Sequence, residues 1–530
     1  MSGTDDMRLG DVRTVDPRAW RTAIIVTVVA ALVRLFFAAW LPLFPDETYY
    51  WDWSRHLAGG YFDHPPMIAV LIRAGTIIGG ATPFAVRFFP VVAGAVASFA
   101  AVGIARRIGG DKAARTAAIV FALMPLAASG LVLATPDAPL LAASAVTLYF
   151  VVRALQSPIR SRASFLWWCA AGVALGLAFA SKYTSIFLPI GLLIAVLVRP
   201  SLRARLAEPG PYVACVLATL VFLPVLHWNA THEWISFRFQ IQHGLGTPKG
   251  SALQRELELF GGQLGLVSPI LFVLVADAVW RAARRPVTDA HFALAMAALA
   301  SWGFFVYSAL RRPVEANWPA PSYVPAVALL AAIASSLTRD RWLRRGIVLA
   351  AVMVAVLYVH ALVPILPLPA RRDPLARGAG WDAAAHQVQA ARVAEGRSLP
   401  VSPAAPPPSS GPQHPRVFVG ADRYQDVSEL AFHLPDHPVV FCVCLSGRHN
   451  QYELWPGFSD VAKSGDALVL LLDERKDGVV HETAALLAPH FASVTRGAPA
   501  PLLRNGDTVT VRRVWTLAGY RGGWPVRAAP

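Results

Sequence analysis

Long apolar runs alternate with short polar loops along the chain up to residue 366. A helix that crosses a bilayer needs about 20 predominantly apolar residues. On that length, the pattern predicts eleven membrane-spanning helices, near residues 22–43, 83–105, 115–131, 136–153, 165–181, 184–198, 211–228, 258–280, 290–309, 318–337 and 346–366. The segment 64–80 is apolar but short and interrupted, and it predicts an interfacial helix.

The composition agrees with a multi-pass α-helical membrane protein. The 530 residues are 55% hydrophobic and 15% charged, whereas soluble domains carry about 25% charged residues. The net charge of +15 does not indicate a nucleic-acid partner. The basic residues lie in short clusters between the apolar runs, and this is the pattern of a topology signal.

Arginine and lysine clusters occur at the N-terminus and then in every second loop. The clusters are Arg8–Arg21, Arg106–Arg115, Arg153–Arg162, Arg199–Arg205, Arg281–Arg285 and Arg339–Arg345. By the positive-inside rule, the side that carries them is cytoplasmic. The other loops and the C-terminal region are therefore predicted at the periplasmic face of the inner membrane.

The composition changes after the last apolar run. The predicted organisation is a cytoplasmic N-terminus at 1–21, a transmembrane domain at 22–366, a linker at 367–415 and a small periplasmic α/β domain at 416–530. The linker is rich in Pro, Ala and Arg and has one predicted helix near 381–396. In the last domain, strand patterns at 417–419, 439–441 and 467–472 alternate with helical stretches near 426–433 and 481–491.

The four cysteines predict no disulfide framework and no zinc site. Cys169 and Cys215 fall inside apolar runs and are interpreted as small core residues. Cys442 and Cys444 lie in a predicted strand. Because successive side chains of a strand point to opposite faces, we expect these two not to pair.

The stretch 44–67, which follows the first apolar run, concentrates polar and aromatic side chains where the chain leaves the bilayer. Aromatic rings favour this level because one end of the ring is apolar and the other tolerates water. The acids Asp46, Glu47, Asp52 and Asp63 need another reason, since charges at membrane depth are costly and usually face a cavity or a site. The alternative at this point is a solvated interfacial loop.

Further polar residues fall in the other loops on the same predicted side. They are Asp137, Lys182, Arg238, Gln242, His243, Arg311, Arg312, Glu315 and Asn317. A transporter is expected to place such residues near the membrane midplane, on broken helices. Their location in the loops of one face favours a site at the outer leaflet over a permeation path.

Acids and bases at an outer membrane face suit sugar transfer from a polyprenyl-phosphate donor. A carboxylate within hydrogen-bond reach can take the proton of an acceptor hydroxyl as that hydroxyl attacks. The leaving lipid phosphate needs a cationic side chain or a divalent metal ion to offset its developing charge. Asp46, Glu47, Asp63, His64 and Lys182 supply these chemical types.

The motifs that carry these residues resemble one known family. They are Phe44-Pro45-Asp46-Glu47-Thr48-Tyr49-Tyr50, Tyr61-Phe62-Asp63-His64-Pro65-Pro66, Thr135-Pro136-Asp137-Ala138-Pro139, Ser181-Lys182-Tyr183 and Glu315-Ala316-Asn317-Trp318-Pro319-Ala320-Pro321. In combination, they look like the protein-mannosyltransferase-like branch of the GT-C glycosyltransferases, which includes the aminoarabinose transferase acting on lipid A. The resemblance covers about residues 20–365. It implies a GT-C fold and an inverting enzyme that uses a polyprenyl-phosphate sugar.

The resemblance also implies roles for individual residues. Asp46 is the expected catalytic base and Glu47 its acidic partner. Asp63 is the expected ligand of a divalent metal ion, and His64 stands where the related segment has a Lys that serves the donor phosphate. This departure puts phosphate binding by His64 in doubt, since a neutral imidazole carries no charge near pH 7. We expect Lys182 to carry more of that role.

The remaining candidates complete the expected site. The residues predicted to bind the donor phosphate are His64, Lys182, Arg238 and Arg311, and the other predicted site residues are Tyr50, Asp137, Glu315 and Asn317. The expected partners are a polyprenyl-phosphate-linked sugar, membrane lipids and a lipid, glycan or protein acceptor. No nucleic acid is expected.

Each assignment has an alternative. Asp46, Glu47 and Asp137 also suit the N-terminus of a helix, where acids are stabilised by the helix dipole. Lys182 also suits the end of a span, where a Lys stem can lie along apolar surface. For the whole chain, the alternatives are a protein O-mannosyltransferase and a lipid-linked sugar flippase, which needs no catalytic base.

The orientation gives the first prediction. Because the basic clusters alternate between loops, reporter fusions after residue 370 should report a periplasmic location. Alkaline phosphatase and green fluorescent protein fusions at the same position provide the measurement and its control. A fluorescent green fluorescent protein fusion together with an inactive alkaline phosphatase fusion would place this position in the cytoplasm. The acidic loops would then also be cytoplasmic, which would contradict a lipid-phosphate donor at the outer face.

Overall fold

The structure is a computed structural model, and it describes residues 15–336 without Lys249, 341–395, 416–474 without Ser446, and 482–525. Arg8 and Arg13 of the first basic cluster, Arg339 of the last, and the proline-rich part of the predicted linker, 404–408, lie outside the described residues. The described chain divides into two compact units. Unit 1 comprises Met1–Trp40 and Leu57–Leu362, and unit 2 comprises Leu41–His56 and Val363–Pro530.

Helices dominate the structure. In chain order they are α1 Pro17–Trp40, α2 Pro45–Arg55, α3 Met67–Gly79, α4 Pro83–Leu123, α5 Pro125–Gly130, α6 Asp137–Leu155, α7 Arg162–Phe179, α8 Phe187–Val198, α9 Pro200–Arg203, α10 Gly210–Thr231, α11 Ile235–Leu245, α12 Ala252–Val267, α13 Pro269–Arg284, α14 Asp289–Ala309, α15 Tyr323–Ser336, α16 Arg341–Leu362, α17 Trp381–Ala394, α18 Tyr424–His433, α19 Phe458–Val461 and α20 Glu482–Leu487. Helix α2 and helices α17–α20 fall in unit 2, and the others fall in unit 1. The segment 64–80, for which an interfacial helix was predicted, contains α3.

Among the described residues, seven helices are long and apolar enough to cross a membrane, or up to nine if each of two bent helix pairs is one span. The count is lower than the predicted eleven for two local reasons. The predicted spans 83–105 and 115–131 both begin in α4, which consists of two helical segments that meet at non-helical Gly110 with φ 78° and is counted once. The predicted span 318–337 contains only the 14-residue helix α15, because the Pro-rich segment before it forms a short 3₁₀ turn at Ala320–Ser322.

The helices of unit 1 pack closely through small residues. A Cβ added to Gly172 of α7 would lie 2.4 Å from the carbonyl oxygen of Ala214 in α10, and one added to Gly191 of α8 would lie 2.5 Å from that of Met296 in α14. Small residues are enriched at such contacts because they let helix backbones approach closely in a membrane. The predicted spans therefore form a packed bundle.

Unit 2 contains a mixed five-stranded sheet. The strands are β1 Val417–Ala421, β2 Val440–Cys442, β3 Ala467–Asp473, β4 Phe491–Arg504 and β5 Asp507–Tyr520, in the order β2-β1-β3-β5-β4. The strand β1 pairs in parallel with β2 and β3, and β5 pairs antiparallel with β3 and β4. The strand patterns of β1, β2 and β3 are confirmed, whereas the β4–β5 hairpin was not predicted.

The expectation for the paired cysteines is wrong, because Cys442 and Cys444 form a disulfide. The strand β2 ends at Cys442, so the alternation of side chains does not extend to Cys444. Cys444 has φ 51°, so its backbone is left-handed and not extended. The Cα atoms are 5.1 Å apart, within the range of disulfides.

Close packing at Gly172 gives a second prediction. Gly172→Ala should lower the thermal unfolding midpoint in detergent, since overpacking a tight contact costs about 1–3 kcal/mol. Gly265→Ala is the matched control, because Gly265 is also inside a helix, α12, and nothing lies within 4 Å of its added Cβ. The control should leave the midpoint unchanged or slightly raised. Equal midpoints for both variants would contradict the close α7–α10 contact.

Candidate functional site

Three of the predicted site residues form one buried polar cluster in unit 1. The Lys182 ammonium lies 2.7 Å from Oδ1 of Asp137, and the Asn317 side-chain amide donates to Oδ2 of Asp137 at 2.7 Å. Asp137 and Lys182 are each 8% exposed. The contacts join three sequence motifs that are far apart in the chain, and they satisfy both oxygens of the Asp137 carboxylate.

Local structure explains how each member of this cluster is placed. Asp137 begins α6 directly after Pro136. Lys182 follows the end of α7, where its backbone N–H still donates to the carbonyl of Ala178. Asn317 precedes the 3₁₀ turn at Ala320–Ser322, and its carbonyl accepts from Ala320. Each residue therefore lies where a helix begins or ends, which frees its side chain to turn into the cluster.

The motif with Asp63 and His64 is held beside this cluster. The Met67 N–H donates to the carbonyl of Ala180 at 3.1 Å, which joins the segment to the end of α7, two residues before Lys182. The helix α11 fixes the same segment, because its Ser236 hydroxyl donates to the carbonyl of Tyr61 at 2.6 Å and its Gln240 amide donates to that of Asp63 at 2.7 Å.

Asp63 is 5% exposed, and His64 is partly buried. The segment therefore lies in the part of unit 1 that holds Asp137 and Lys182.

The structure does not bring the other cationic candidates to this cluster. Arg238 is exposed and donates weakly to the carbonyl of Glu233 at 3.4 Å. The Arg311 guanidinium lies over the Tyr307 ring at 5.7 Å, and Glu315 is exposed. In the described part of unit 1, none of these three contacts Asp137, Lys182 or Asn317. Their assignment to the site stays a prediction.

The predicted catalytic acids lie on α2, which belongs to unit 2. The Phe44 N–H donates to Oε2 of Glu47 at 3.0 Å, so Glu47 caps the first turn of α2, as the structural alternative anticipated. Asp46 is partly exposed and accepts a hydrogen bond from the Tyr424 hydroxyl at 3.3 Å. Tyr50 is 8% exposed and packs against Trp53. Asp46 is therefore the carboxylate of this pair that is available to a substrate.

The helix α18 packs on α2 and contributes residues that sequence reasoning did not assign to the site. The hydroxyls of Thr48 and Ser428 lie 3.0 Å apart, and Ser428 also donates to the carbonyl of Pro45. Tyr424 begins α18 and contacts Asp46. The signal was present as the motif Asp422-Arg423-Tyr424-Gln425 after the first strand, but the sequence did not show that it faces Asp46.

Two further residues of unit 2 hold α2, one through its side chain and one through its backbone N–H. The Tyr452 hydroxyl donates to Oδ2 of Asp52 at 2.8 Å, and the Gln451 N–H donates to the Tyr49 hydroxyl at 2.6 Å. Trp51 packs edge-on against Phe432 with ring centroids 5.0 Å apart. The acidic helix is therefore fixed by hydrogen bonds along its length as well as by apolar packing.

A third carboxyl, that of Glu429 in α18, is fully buried beside the start of α2. Burial raises the pKa of Glu429 to about 7, and the neighbouring Glu47 carboxylate adds to that rise. Burial alone would lower the pKa of His433, but hydrogen bonds with Asp382 and Glu429 raise it to about 9. Both shifts favour a charged His433 beside a Glu429 carboxyl that ionises less readily than usual, which limits the negative charge next to Glu47.

A metal site needs several ligating side chains close together. The described residues contain no group of three or more His, Cys, Asp or Glu side chains that could hold a metal ion. A divalent ion at Asp63 would therefore need most of its ligands from water and substrate oxygens, as Mg²⁺ accepts in phosphate sites.

The known proteins that the chain resembles include glycosyltransferases. A family model described as dolichyl-phosphate-mannose-protein mannosyltransferase matches residues 63–228. The lipid A galacturonosyltransferase RgtD of Rhizobium johnstonii is 29% identical over 313 residues, which are 58% of this chain and 64% of that protein. The match therefore spans less than two thirds of the relative's length.

Two solved structures resemble the whole chain. ArnT from Cupriavidus metallidurans bound to undecaprenyl phosphate matches with a TM-score of 0.63 and 18% identity, over 94% of this chain and 98% of that one. The same protein in the apo state matches with a TM-score of 0.61 and 17% identity, over 93% and 97%. At these identities the likeness shows an ArnT-like fold. The resemblance predicted from the motifs is confirmed, since a protein-mannosyltransferase family model, a lipid A glycosyltransferase and the ArnT fold all match the chain.

The buried cluster gives a third prediction. Lys182→Met leaves the Asp137 carboxylate buried without its cation, and breaking such a pair costs about 3–5 kcal/mol. We expect a large loss of thermal stability and of activity. The double variant Lys182→Met/Asp137→Asn should recover most of the stability but not the activity, because the cation is still missing.

The matched control is Arg205→Met/Glu208→Gln, which neutralises another buried ion pair of unit 1, with a nitrogen–oxygen distance of 3.1 Å. No site role is predicted for that pair, so the folded variant should stay active. Recovery of full activity together with stability in Lys182→Met/Asp137→Asn would show that the cluster is only structural.

Proposed function

We propose that the chain is an inverting glycosyltransferase that moves a sugar from a polyprenyl-phosphate donor to an acceptor at the outer face of the inner membrane. The family match, the relative that acts on lipid A and the ArnT-like fold support this proposal. The disulfide Cys442–Cys444 supports the periplasmic placement of unit 2, because disulfides persist in oxidising compartments.

The observation that carries the proposal is the buried cluster of Lys182, Asp137 and Asn317. A buried ion pair is weak evidence for stability, since apolar residues of similar volume often serve as well. A cationic ammonium fixed among polar motifs of unit 1 suits an anionic group such as a phosphate. Lys182 has three N–H donors and uses one for Asp137, so others remain for a phosphate oxygen.

In the proposed reaction, the Asp46 carboxylate and the Lys182 ammonium each have one role. The Asp46 carboxylate takes the proton of the acceptor hydroxyl as its oxygen attacks the anomeric carbon. The bond between the anomeric carbon and the phosphate oxygen breaks, and the polyprenyl phosphate leaves with the electron pair. Lys182 offsets the charge that develops on this phosphate. Attack from the face opposite the leaving group inverts the anomeric configuration.

The acceptor that the relatives favour is a lipid. RgtD is named for transfer to lipid A, and we extend a lipid A-type acceptor to this chain. The second candidate is a protein hydroxyl, because the matched family is described by a protein mannosyltransferase. Mass spectrometry of lipids and glycoproteins from cells with and without the gene separates the two, since only one pool should lose the sugar in the deletion strain.

The proposal makes a fourth prediction at Asp46. Asn matches Asp in size and accepts a hydrogen bond from Tyr424, but it cannot take a proton. Asp46→Asn should therefore keep the fold and the donor affinity and lower turnover by about 10²–10⁴-fold. Turnover and donor binding of the purified variant in nanodiscs provide the measurement.

The control for Asp46 is Glu47→Gln. Because Glu47 caps α2 through the Phe44 N–H, Gln should keep much of that hydrogen bond and show a smaller loss of turnover. An active Asp46→Asn beside an inactive Glu47→Gln would exchange the two roles. Full turnover in both variants would show that neither carboxylate is the catalytic base and would contradict the proposed mechanism.

A fifth prediction concerns a divalent metal ion bound by Asp63. If a divalent ion helps to neutralise the donor phosphate, exhaustive chelation should lower turnover, and added Mg²⁺ or Mn²⁺ should restore it. Asp63→Asn should raise the metal concentration needed for half-maximal activity. Unchanged turnover after chelation would remove the metal ion from the account and leave neutralisation to Lys182.

A further inference from the structure

A second candidate site lies in unit 1, away from the polar cluster. A cavity of about 670 Å³ opens between α1, α4 and α6. Its apolar wall includes Val96, Phe99, Ala100 and Phe150. Val96 and Phe99 are 42% and 40% exposed although they belong to a membrane-spanning segment, so the wall faces the lipid. The volume is within the range of ligand pockets.

The cavity has a basic and aromatic end. Nε of Arg106 lies 2.6 Å from Oδ1 of Asp111, and its guanidinium stacks over the Trp20 ring at 4.0 Å. Arg107 lines the same end beside the Tyr149 hydroxyl. Within residues 15–336 as described, no carboxylate lies within ion-pair distance of Arg107. Among the described residues that line the cavity, Asp111 is one carboxylate against two arginines, so this lining carries a net positive charge.

Two neighbouring contacts keep this end rigid. The Arg153 guanidinium donates to the Tyr149 hydroxyl at 3.2 Å and stacks over Trp167 at 4.1 Å. Tryptophan and arginine at the end of a span mark the level of the lipid headgroups. The cavity therefore combines a cationic headgroup level with an apolar wall that continues into the bilayer.

The position of the cavity separates it from the proposed catalytic site. Tyr149 lies twelve residues after Asp137 on α6, so the two are roughly 18 Å apart along the helix axis. By the positive-inside rule, the arginine end belongs to the cytoplasmic leaflet, whereas the sugar-transfer site is assigned to the outer face. The cavity is not needed for the chemistry of the transfer.

We propose that this cavity binds an anionic glycerophospholipid of the cytoplasmic leaflet. Its phosphate contacts Arg107, and one acyl chain lies along the wall from Ala100 to Val96. From Arg107 to Val96 the helix rises roughly 16 Å, enough to accommodate the upper part of an acyl chain. Basic pockets between membrane helices on the cytoplasmic side bind anionic headgroups in this way.

Lipid retention tests the proposal on the full-length protein. The protein is reconstituted in nanodiscs of phosphatidylethanolamine and phosphatidylglycerol, extracted with mild detergent, and analysed by native mass spectrometry. The parent should retain phosphatidylglycerol in preference to phosphatidylethanolamine. Arg107→Gln should lower the retained phosphatidylglycerol about fivefold, the effect of roughly one charged contact, and Arg107→Lys should keep most of it.

A steric variant and a charge control separate the cavity from the membrane surface. Ala100→Trp should fill the apolar wall and lower retention while every arginine remains. Arg162→Gln removes an exposed arginine at the start of α7 that does not line the cavity, and retention should not change. Equal loss in Arg162→Gln and Arg107→Gln would assign the effect to surface charge and overturn the proposal.

Competition identifies the occupant. Inorganic phosphate at millimolar concentration should not displace the lipid, because the acyl chain contributes to binding. Undecaprenyl phosphate should compete no better than phosphatidylglycerol. Displacement by phosphate alone, or retention of undecaprenyl phosphate in place of phosphatidylglycerol, would overturn the assignment to a glycerophospholipid.

Discussion

The buried ion pair between Lys182 and Asp137 is the interaction on which the polar centre of unit 1 depends. Removing two charges from water costs several kcal/mol for each ion, and the cost is recovered only with good geometry and additional hydrogen bonds. Both conditions hold here, because the charged atoms are 2.7 Å apart and Asn317 occupies the second carboxylate oxygen. The pair connects the start of α6, the end of α7 and the loop before α15. The positive charge of Lys182, rather than the contribution of the pair to stability, explains why the proposed transferase needs this pair.

In unit 2, the acidic helix α2 is likewise held by contacts between residues that are far apart in the sequence. Its sequence lies between two parts of unit 1, yet its side chains are fixed by residues that follow some 380 to 400 positions later, as the contacts Tyr424–Asp46 and Gln451–Tyr49 show. The C-terminal sheet therefore contributes directly to holding the helix that carries Asp46. It supports α18, and α18 holds the helix that carries Asp46. The raised pKa of buried Glu429 limits the repulsion that a third carboxylate would add beside Glu47.

Much of this arrangement is readable from sequence. Apolar runs are local patterns, so every predicted span except 318–337 overlaps a long helix or a bent pair, and two of them overlap α4. A break such as Gly110 and a short helix such as α15 depend on backbone geometry. The strands β1 to β3 are buried apolar runs and were predicted. The β4–β5 hairpin alternates weakly and contains Gly497, Pro499 and Pro501, so its pattern did not indicate a strand.

Motifs pointed to Asp137, Lys182 and Asn317, but their contacts bridge 45 and 180 positions, which periodicity cannot show. The contact of Tyr424 with Asp46 was missed for the same reason.

The fate of the donor lipid tests the central claim most directly. Proteoliposomes that contain the purified protein are supplied with undecaprenyl-phosphate sugars and lipid A, and both lipids are followed by mass spectrometry. The account predicts that free undecaprenyl phosphate and glycosylated lipid A appear together in equal amounts, with the anomeric configuration of the sugar inverted. Movement of the intact donor between leaflets without release of undecaprenyl phosphate would contradict it and identify a flippase.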